Sequence, residues 1–478
     1  MKDMINSFKN MLVQSSNVTK DDIAKLLKTD PGMLVAFEKE YNKAAMELES
    51  DNFFDVNSRQ AAKQNQLIDA DEIQENCDTE ELKKRIVDEL IAQTKVYVYD
   101  GKKAEILKYP ALPAETDMVS NEEILQLPEK LRPQLTGELM KIDVNGESYL
   151  AVLDMYQRYL KGKKKKDKRA MQYYHMFRQG LDILDLDSIM YEVIGTNPNS
   201  MGKWLPALVK ACEKQNFFQL PKTTIAKVPL TLLQLTRQDY FALTKTTLDI
   251  VDGWAQEAFK LNPEKDYFIK TGTYSSKFDF RNARVCDPKE VMEIGQYLLF
   301  IHFQALQMAS PLSKPVIYGV STTNEWVVRE FIPDKTGRPS IYKGLPLRTE
   351  YRVFVDCDTD KVIGISPYWE PNVMKNRFAN GSDANSPHQM HDYVIYKTCE
   401  DALASDFDKN KERLVQKIEE MLPDLNLPGQ WSIDIMQNGE DEFWLIDMAL
   451  AENSAFYECV PKELRAPAEE NWLPELRK

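Results

Sequence analysis

The chain has no CxxC pair. Its six cysteines, Cys77, Cys212, Cys286, Cys357, Cys399 and Cys459, are scattered, which argues against a disulfide framework and predicts a reducing, cytoplasmic location. Also missing is any apolar run approaching the ~18 to 20 residues that cross a bilayer. The N-terminus shows no charged segment followed by an apolar signal core, so a soluble protein with no membrane role is expected. Positive charge is not in excess: 61 Lys plus Arg stand against 75 Asp plus Glu, a formal net charge of -14. That balance argues against a surface that clings throughout to nucleic acid or anionic lipid. No GxxxxGK[ST] and no GxGxxG occurs, which removes the P-loop and dinucleotide-binding readings. Histidine is scarce, at four residues. His388 and His391 form a lone HxxH in a stretch rich in Asn, Ser and Pro, read as a loop with no helix to aim both rings, and zinc is set aside. His175 and His302 sit in helical patterns and read as structural. "DCDTDKVIG" imitates a calcium loop, but its sixth position is Lys361 and its twelfth Pro367, so a polar hairpin turn is expected.

What is present is an ordinary globular composition, 43% hydrophobic and 28% charged over 478 residues, enough for two to four domains. Residues 1–94 read as short helices, with apolar positions recurring at three and four and a capping threonine in "TKDD". In 95–169 the period shortens. "KVYVYDGKKAEILKYP" and "LMKIDVNGESYLAVLDMY" alternate around Asp-Gly and Asn-Gly, pairs that tolerate positive φ in tight turns, and two hairpins are expected. The basic run "KGKKKKDKR" at 161–169 closes this part as a solvated linker, or else as a docking site for phosphate-rich or acidic partners, the one place where nucleic acid stays in view. Residues 170–262 return to a helical pattern, and 263–478 alternate strands and helices in mixed order. The class expected is therefore α+β.

The chemistry concentrates in the last part. In "WSIDIMQNGEDEFWLIDMALAEN" the Asn438-Gly439 pair marks a turn, and a loop of two, four or six residues sets Asp434 and Asp447 on one face. An odd loop sets them on opposite faces. Like charges so placed disfavour the sheet by roughly 0.2 to 1 kcal/mol unless compensated. A hard cation such as Mg2+, held by carboxylates and phosphate oxygens, is one compensation, with Glu452 and Asn453 just beyond the strand to complete the shell. The bland alternative is two aspartates on a wet face. "EWVVREFIPDKTG" ends a strand at Glu330, Phe331 and Ile332, where Pro333 stops regular pairing and is expected to leave backbone groups free for an adenine ring, with Asp334 in reach of a ribose hydroxyl. "DYFIKTGTYSSKFDF" carries Lys270 from an apolar strand into a small, hydroxyl-rich turn.

This order of segments resembles the ATP-grasp superfamily over about residues 240–460. The matching pieces are "FIKTGTYSSKFDF", "VVREFIPD", "EYRVFVD", "WSIDIM" and "FWLIDMALAEN". The resemblance implies an ATP-grasp fold, two α+β subdomains around a nucleotide cleft, behind a helical and β-hairpin N-terminal region. It implies ATP and Mg2+ as cofactors, with Lys270 on a phosphate and Gly272 to Lys277, including Ser275 and Ser276, as a lid loop. Lys245 would be an earlier phosphate lysine, Arg352 the group that steadies the transferred phosphoryl, and Asp434, Asp447 and Asn453 the metal ligands. Ala449 stands where typical members have an asparagine two positions after the second acid. Ser432 stands where D-alanine-type ligases have an arginine. The ending "WLIDMALAENSAFYE" looks closer to divergent clades, including the eukaryotic assembly chaperones of translation initiation factors.

The function expected from the resemblance is a Mg-ATP-dependent ligase that activates a small-molecule, peptide or protein carboxylate as an acyl phosphate for attack by an amine or thiol. One alternative is a non-catalytic ATP-binding assembly factor. A second is a lysine-adenylating nucleotidyltransferase of the RNA-ligase type with Lys270 as nucleophile, although Gly272 and Thr273 do not reproduce its K-x-x-G turn. The stretch from Asn372 to His391 is expected to cover the site or receive a second substrate.

Overall fold

The computed structural model describes residues 18–51, 80–109, 164–176, 191–234 (apart from 192 and 193), 243–309, 322–379 and 386–466, with scattered positions between 111 and 162. The architecture is mixed α+β, built on two antiparallel-dominated sheets that face each other across a cleft. Two helices, α1 (Lys20–Thr29) and α2 (Pro31–Asp51), open the described chain, followed by α3 (Glu80–Ala92). The capping threonine expected from "TKDD" is in place at the N-terminus of α1, where the Thr19 hydroxyl accepts from the Asp22 N–H, and the structure adds the reciprocal half of a capping box, the Asp22 carboxylate accepting from the Thr19 N–H at 2.9 Å. Next comes the first expected hairpin, β1 (Lys95–Tyr99) and β2 (Ala104–Lys108), turning through Gly101 at φ +93°. The second expected hairpin lies outside the described residues.

After α4 (Met201–Cys212) the chain forms β3 (Phe218–Gln219), β4 (Thr223–Lys227), α5 (Lys245–Phe259), β5 (Tyr267–Thr271), β6 (Arg284–Val285), α6 (Ile294–Ala309) and β7 (Glu325–Glu330). The first sheet runs β2-β1-β4-β7-β5-β6. The division expected at 262/263 therefore does not separate structural units, because β1 and β4 pair into the same sheet as β5 and β7. One face of this sheet is buried: Trp326 and Val328 of β7 and Ile269 of β5 pack with Trp254 of α5 and Leu298 of α6. Alternation along a strand then turns Val327 and Arg329 of β7, and their partners Lys270 and Phe268 of β5, to the opposite face.

The second sheet follows a small β8–β9 ribbon (Ser340–Ile341, Leu345–Pro346). It is built from β10 (Glu350–Asp356), β11 (Lys361–Pro367), β12 (Gln430–Gln437) and β13 (Phe443–Leu450), in the order β11-β10-β12-β13-β3. Between β11 and β12 lie α7 (Pro371–Ala379) and α8 (Pro387–Leu425). The C-terminal half of α8 (Leu414, Ile418, Met421) and Trp204 of α4 cover the inner face of this sheet through Tyr351, Ile433 and Leu445. Among the described residues no helix is long and apolar enough to cross a membrane. In the basic run, Lys164, Lys165, Lys166, Lys168 and Arg169 are exposed around a helix end closed by the Asp167 N–H on the Gly162 carbonyl.

HxxH, read as a loop, is the first turn of α8, capped by Ser386, whose hydroxyl accepts from the Gln389 N–H, with Pro387 at the position where a missing N–H costs nothing. The two rings contact the second N-terminal helix. His388 Nδ1 lies 2.9 Å from the Tyr41 hydroxyl. His391 is stacked on Tyr41 and hydrogen-bonded to Asp392 at 3.0 Å and to Glu38 of α2 at 2.8 Å. Burial alone lowers the His391 pKa, but the bonds to Asp392 and Glu38 outweigh it and push the ring up to about 9. A folded-state pKa above the ordinary 6.5 means that the stabilisation is complete below pH 6.5 and is lost as pH rises through 9. Urea unfolding at pH 6 and pH 9.5 is expected to show about 2 kcal/mol more stability at the lower pH, and His391→Gln is expected to flatten that difference.

Candidate functional site

The chain's chemistry-bearing groups meet where the two sheets face each other. The cleft, about 850 Å³ including its open mouth, has in its lining Lys270 from β5, Arg329 from β7 and Asp434 and Asp447 from β12 and β13. Asp434 and Asp447 are direct cross-strand partners, but not by the expected route. Gln437 pairs with Phe443, so the loop 438–442 has five residues, an odd number. With regular pairing Asp434 would face Ile446 and Asp447 would point into the core. A β-bulge inserts Ile446 between the pairs Ile435–Leu445 and Asp434–Asp447 and restores the shared face. Consecutive residues of a regular strand point to opposite sides, yet both Ile446 and Asp447 line the cleft while Leu445 and Met448 are core.

Each aspartate holds a cation. Arg352, the β10 partner of Asp434, donates to both its oxygens at 2.7 Å, the bidentate fork that suits guanidinium and carboxylate. Across the cleft the Lys270 ammonium donates to Asp447 at 2.9 and 3.1 Å. The result is a row Arg352–Asp434–Asp447–Lys270 spanning both sheets. Lys270 is only 3% exposed at its side chain, whereas Asp447 is 41% exposed, so this pair is open on the carboxylate side. Burial lowers the Lys270 pKa, opposed by Asp447. Burial alone lowers the Arg352 pKa too, but Asp434 reverses the sign and raises it.

Further along, Lys277 is hydrogen-bonded to the Tyr368 hydroxyl and sits over its ring. Burial draws its pKa down, but Tyr368 and Glu350 outweigh this and raise it above the ordinary lysine value. Burial pushes the Glu350 carboxyl up to about 7, with Lys277 opposing. The other end is apolar, walled by Phe268, Phe280, Phe331, Leu345, Pro346 and Met436. Counting charges in the lining, four cations (Lys270, Lys277, Arg329, Arg348) face four carboxylates (Glu330, Glu350, Asp434, Asp447).

Of the residues singled out in the sequence, Lys270, Ser275, Lys277, Glu330, Phe331, Ile332, Asp434 and Asp447 line this cleft, and Arg352 stands behind Asp434. The structure does not bring the others to it. Lys245 is a surface residue at the start of α5, held 2.8 Å from Asp249 one turn on. Gly272 is packed beneath the loop, where an added Cβ would meet the Ser200 hydroxyl at 2.3 Å, so its role is close approach to α4. Ser276 is buried beside Asn282. Asp334 is bound by Arg348 at 3.1 Å and by its own turn. Asn453 accepts from Asn199 at 2.9 Å, tying β13 to the start of α4. Two backbone groups at the strand end, expected to be free, are engaged: the Phe331 N–H donates to the Asp266 carbonyl, extending the β5–β7 ladder, and the Ile332 carbonyl accepts from Arg348 at 2.6 Å.

The sequence reading missed Arg329, Arg348 and Tyr368 and gave Glu350 no role. Glu350 had a signal, since it shares a strand face with Arg352. Arg329 had one too, as a cation inside the apolar strand "WVVRE".

Among the described residues no group of three His, Cys, Asp or Glu forms a metal cluster. That fits Mg2+ all the same, because Mg2+ is held by one or two carboxylates and completed by substrate phosphates and water. The ion-pair row is complementary to such a ligand: phosphate oxygens take the lysine and arginine, and the divalent cation takes the carboxylates.

No family model matches the chain, and no curated protein matches it. Among solved structures, C-terminally truncated Cdc123 from Schizosaccharomyces pombe is similar at 13% identity and TM-score 0.32, over 57% of this chain and 94% of that one. Cdc123 from the same organism gives 13% identity and TM-score 0.30, over 57% and 95%. A likeness of this size carries no argument about family or function.

Breaking a buried pair leaves an uncompensated charge, at a cost of about 3 kcal/mol. Arg352→Met is expected to destabilise the protein by about that amount in urea unfolding, and Arg352→Met with Asp434→Leu to recover most of the loss.

Proposed function

We propose that this cleft binds Mg-ATP in the ATP-grasp manner and that the protein is a nucleotide-gated binding or assembly factor. The observation that carries the reading is the ion pair across the cleft: a buried lysine from one sheet meets a half-open carboxylate from the other, beside an apolar wall that suits adenine. Lys270, assisted by Lys277, would hold phosphate oxygens. Asp447 and Asp434 would hold Mg2+, which when bound neutralises phosphate charge. Phe331 and its apolar neighbours exclude water from the base. Because Lys270 and Asp447 come from different sheets, a ligand that takes both changes what holds the sheets together, which is the physical basis for gating.

The assembly-factor reading is preferred to the ligase because Arg352 already gives its fork to Asp434. In addition Ser432, where D-alanine-type ligases carry an arginine, is spent on the Ser454 hydroxyl at 2.6 Å. One observation favours a carboxylate–amine or carboxylate–thiol ligase as the second reading: Glu350, which burial pushes up to about 7, stands in the same lining and exceeds what nucleotide binding uses.

Calorimetric titration with Mg-ATP is expected to show binding that Lys270→Ala or Asp447→Asn weakens at least about tenfold, the scale of a lost charge-assisted hydrogen bond. Lys245→Ala is expected to leave it unchanged. No binding by the unmodified protein overturns the proposal. Release of ADP with carboxylate and amine pools would move the choice to the ligase. A mass increase of one AMP, lost in Lys270→Ala, would move it to the nucleotidyltransferase.

A further inference from the structure

The direction in which Asp447 points depends on one inserted residue, and a single buried arginine of the other sheet grips that residue. A bulge leaves its extra residue without a ladder partner, and a buried carbonyl without a donor is costly. The Ile446 carbonyl is supplied from outside its own sheet: Arg329 Nη1 of β7 donates to it at 2.5 Å. Arg329 is 4% exposed, and its Nε donates to the Thr223 hydroxyl at 3.3 Å. Its Nη2 is buried with no partner among the described residues. Burial pulls its pKa down to about 10, so it remains a cation at neutral pH, and the nearby Asp447 favours that charge. A guanidinium so committed is costly to bury for packing alone. What it does hold is the one carbonyl whose position sets the register of Asp447.

We propose that Arg329 is a positioning residue: through the Ile446 carbonyl it holds the bulge that turns Asp447 into the cleft opposite Asp434. The sheet of Lys270 thereby sets the geometry of the carboxylates that Lys270 faces. Without this grip the hairpin can relax toward regular pairing, which puts Ile446 opposite Asp434 and Asp447 on the core side. The proposal deepens the Mg-ATP reading and rests on it for one of its two readouts only.

The first readout is the enhancement of ATP affinity by Mg2+, measured on the full chain as the ratio of Kd in EDTA to Kd in Mg2+. Arg329→Met is expected to cut this ratio at least tenfold while changing metal-free ATP binding less than threefold, and Arg329→Lys to restore part of it. A loss of packing alone would weaken both bindings together. Thr223→Val removes the acceptor of Arg329 Nε together with the hydroxyl's own bond to the Pro221 carbonyl; it is expected to fold and to cut the ratio about threefold, so it carries the test should Arg329→Met not fold. The second readout needs no nucleotide. Asp447→Cys is expected to react readily with maleimide, mapped by peptide mass, and to react at least tenfold more slowly when combined with Arg329→Met and about threefold more slowly when combined with Thr223→Val. An unchanged Mg2+ ratio in a folded Arg329→Met or Thr223→Val protein overturns the proposal. So does unchanged maleimide reactivity in the combined variants. If the unmodified protein binds no ATP, the Mg-ATP reading fails and the labelling result alone decides the role of Arg329.

Discussion

The ammonium of Lys270 lies almost wholly out of water and finds its counter-charge on the opposite sheet, at Asp447. A buried cation needs such a partner, because desolvation costs more than an exposed pair returns. This requirement fixes the separation of the two sheets, the orientation of β13 and the presence of a polar floor in an otherwise apolar cleft. The bidentate bond between Arg352 and Asp434 extends the row within the second sheet, and Arg329 crosses back from the first. The two sheets are thus connected by ionic contacts at the cleft as well as by the core around Trp204, Val327 and Tyr351.

Other parts of the molecule support this arrangement from outside. The N-terminal helices α1 and α2 pack on the first half of α8, with Phe37, Tyr41, Val394 and Trp369 in one cluster. Trp369 also lines the cleft and donates to the Arg348 carbonyl at 2.7 Å. A contact chain therefore runs from the N-terminal helices through α8 and Trp369 to the cleft wall. The end of β7 is held by the same kind of contact: the Asp266 carbonyl and Arg348 satisfy the backbone of Phe331 and Ile332, and Arg284 lies 4.4 Å over the Phe331 ring.

Local features are what a sequence states most directly. The α1 capping box, the Asp-Gly hairpin and the alternation of "EYRVFVD" are short-range patterns, and each appears where its residues predict it. Lys270, the end of β7 and the two aspartates were legible as chemistry because a charged residue in an apolar strand is costly unless it is used. Longer-range relations were not. The histidines of HxxH are set on a helix and bound to α2 by packing more than three hundred residues distant in sequence. Lys245 is spent on its own helix by an Asp249 bond that its sequence neighbours also allow but do not require.

The residues by themselves determined that the class is α+β, that Asp434 and Asp447 flank one hairpin and that Lys270 leaves a strand into a polar turn. Whether the two aspartates share a face was a matter for the tertiary structure. Strand alternation and a five-residue loop point Asp447 inward, and only a bulge, whose unpaired carbonyl is satisfied by an arginine of the other sheet, turns it out. Parity along a strand is a local property, whereas the donor that meets this bulge's free carbonyl comes from a strand of the other sheet.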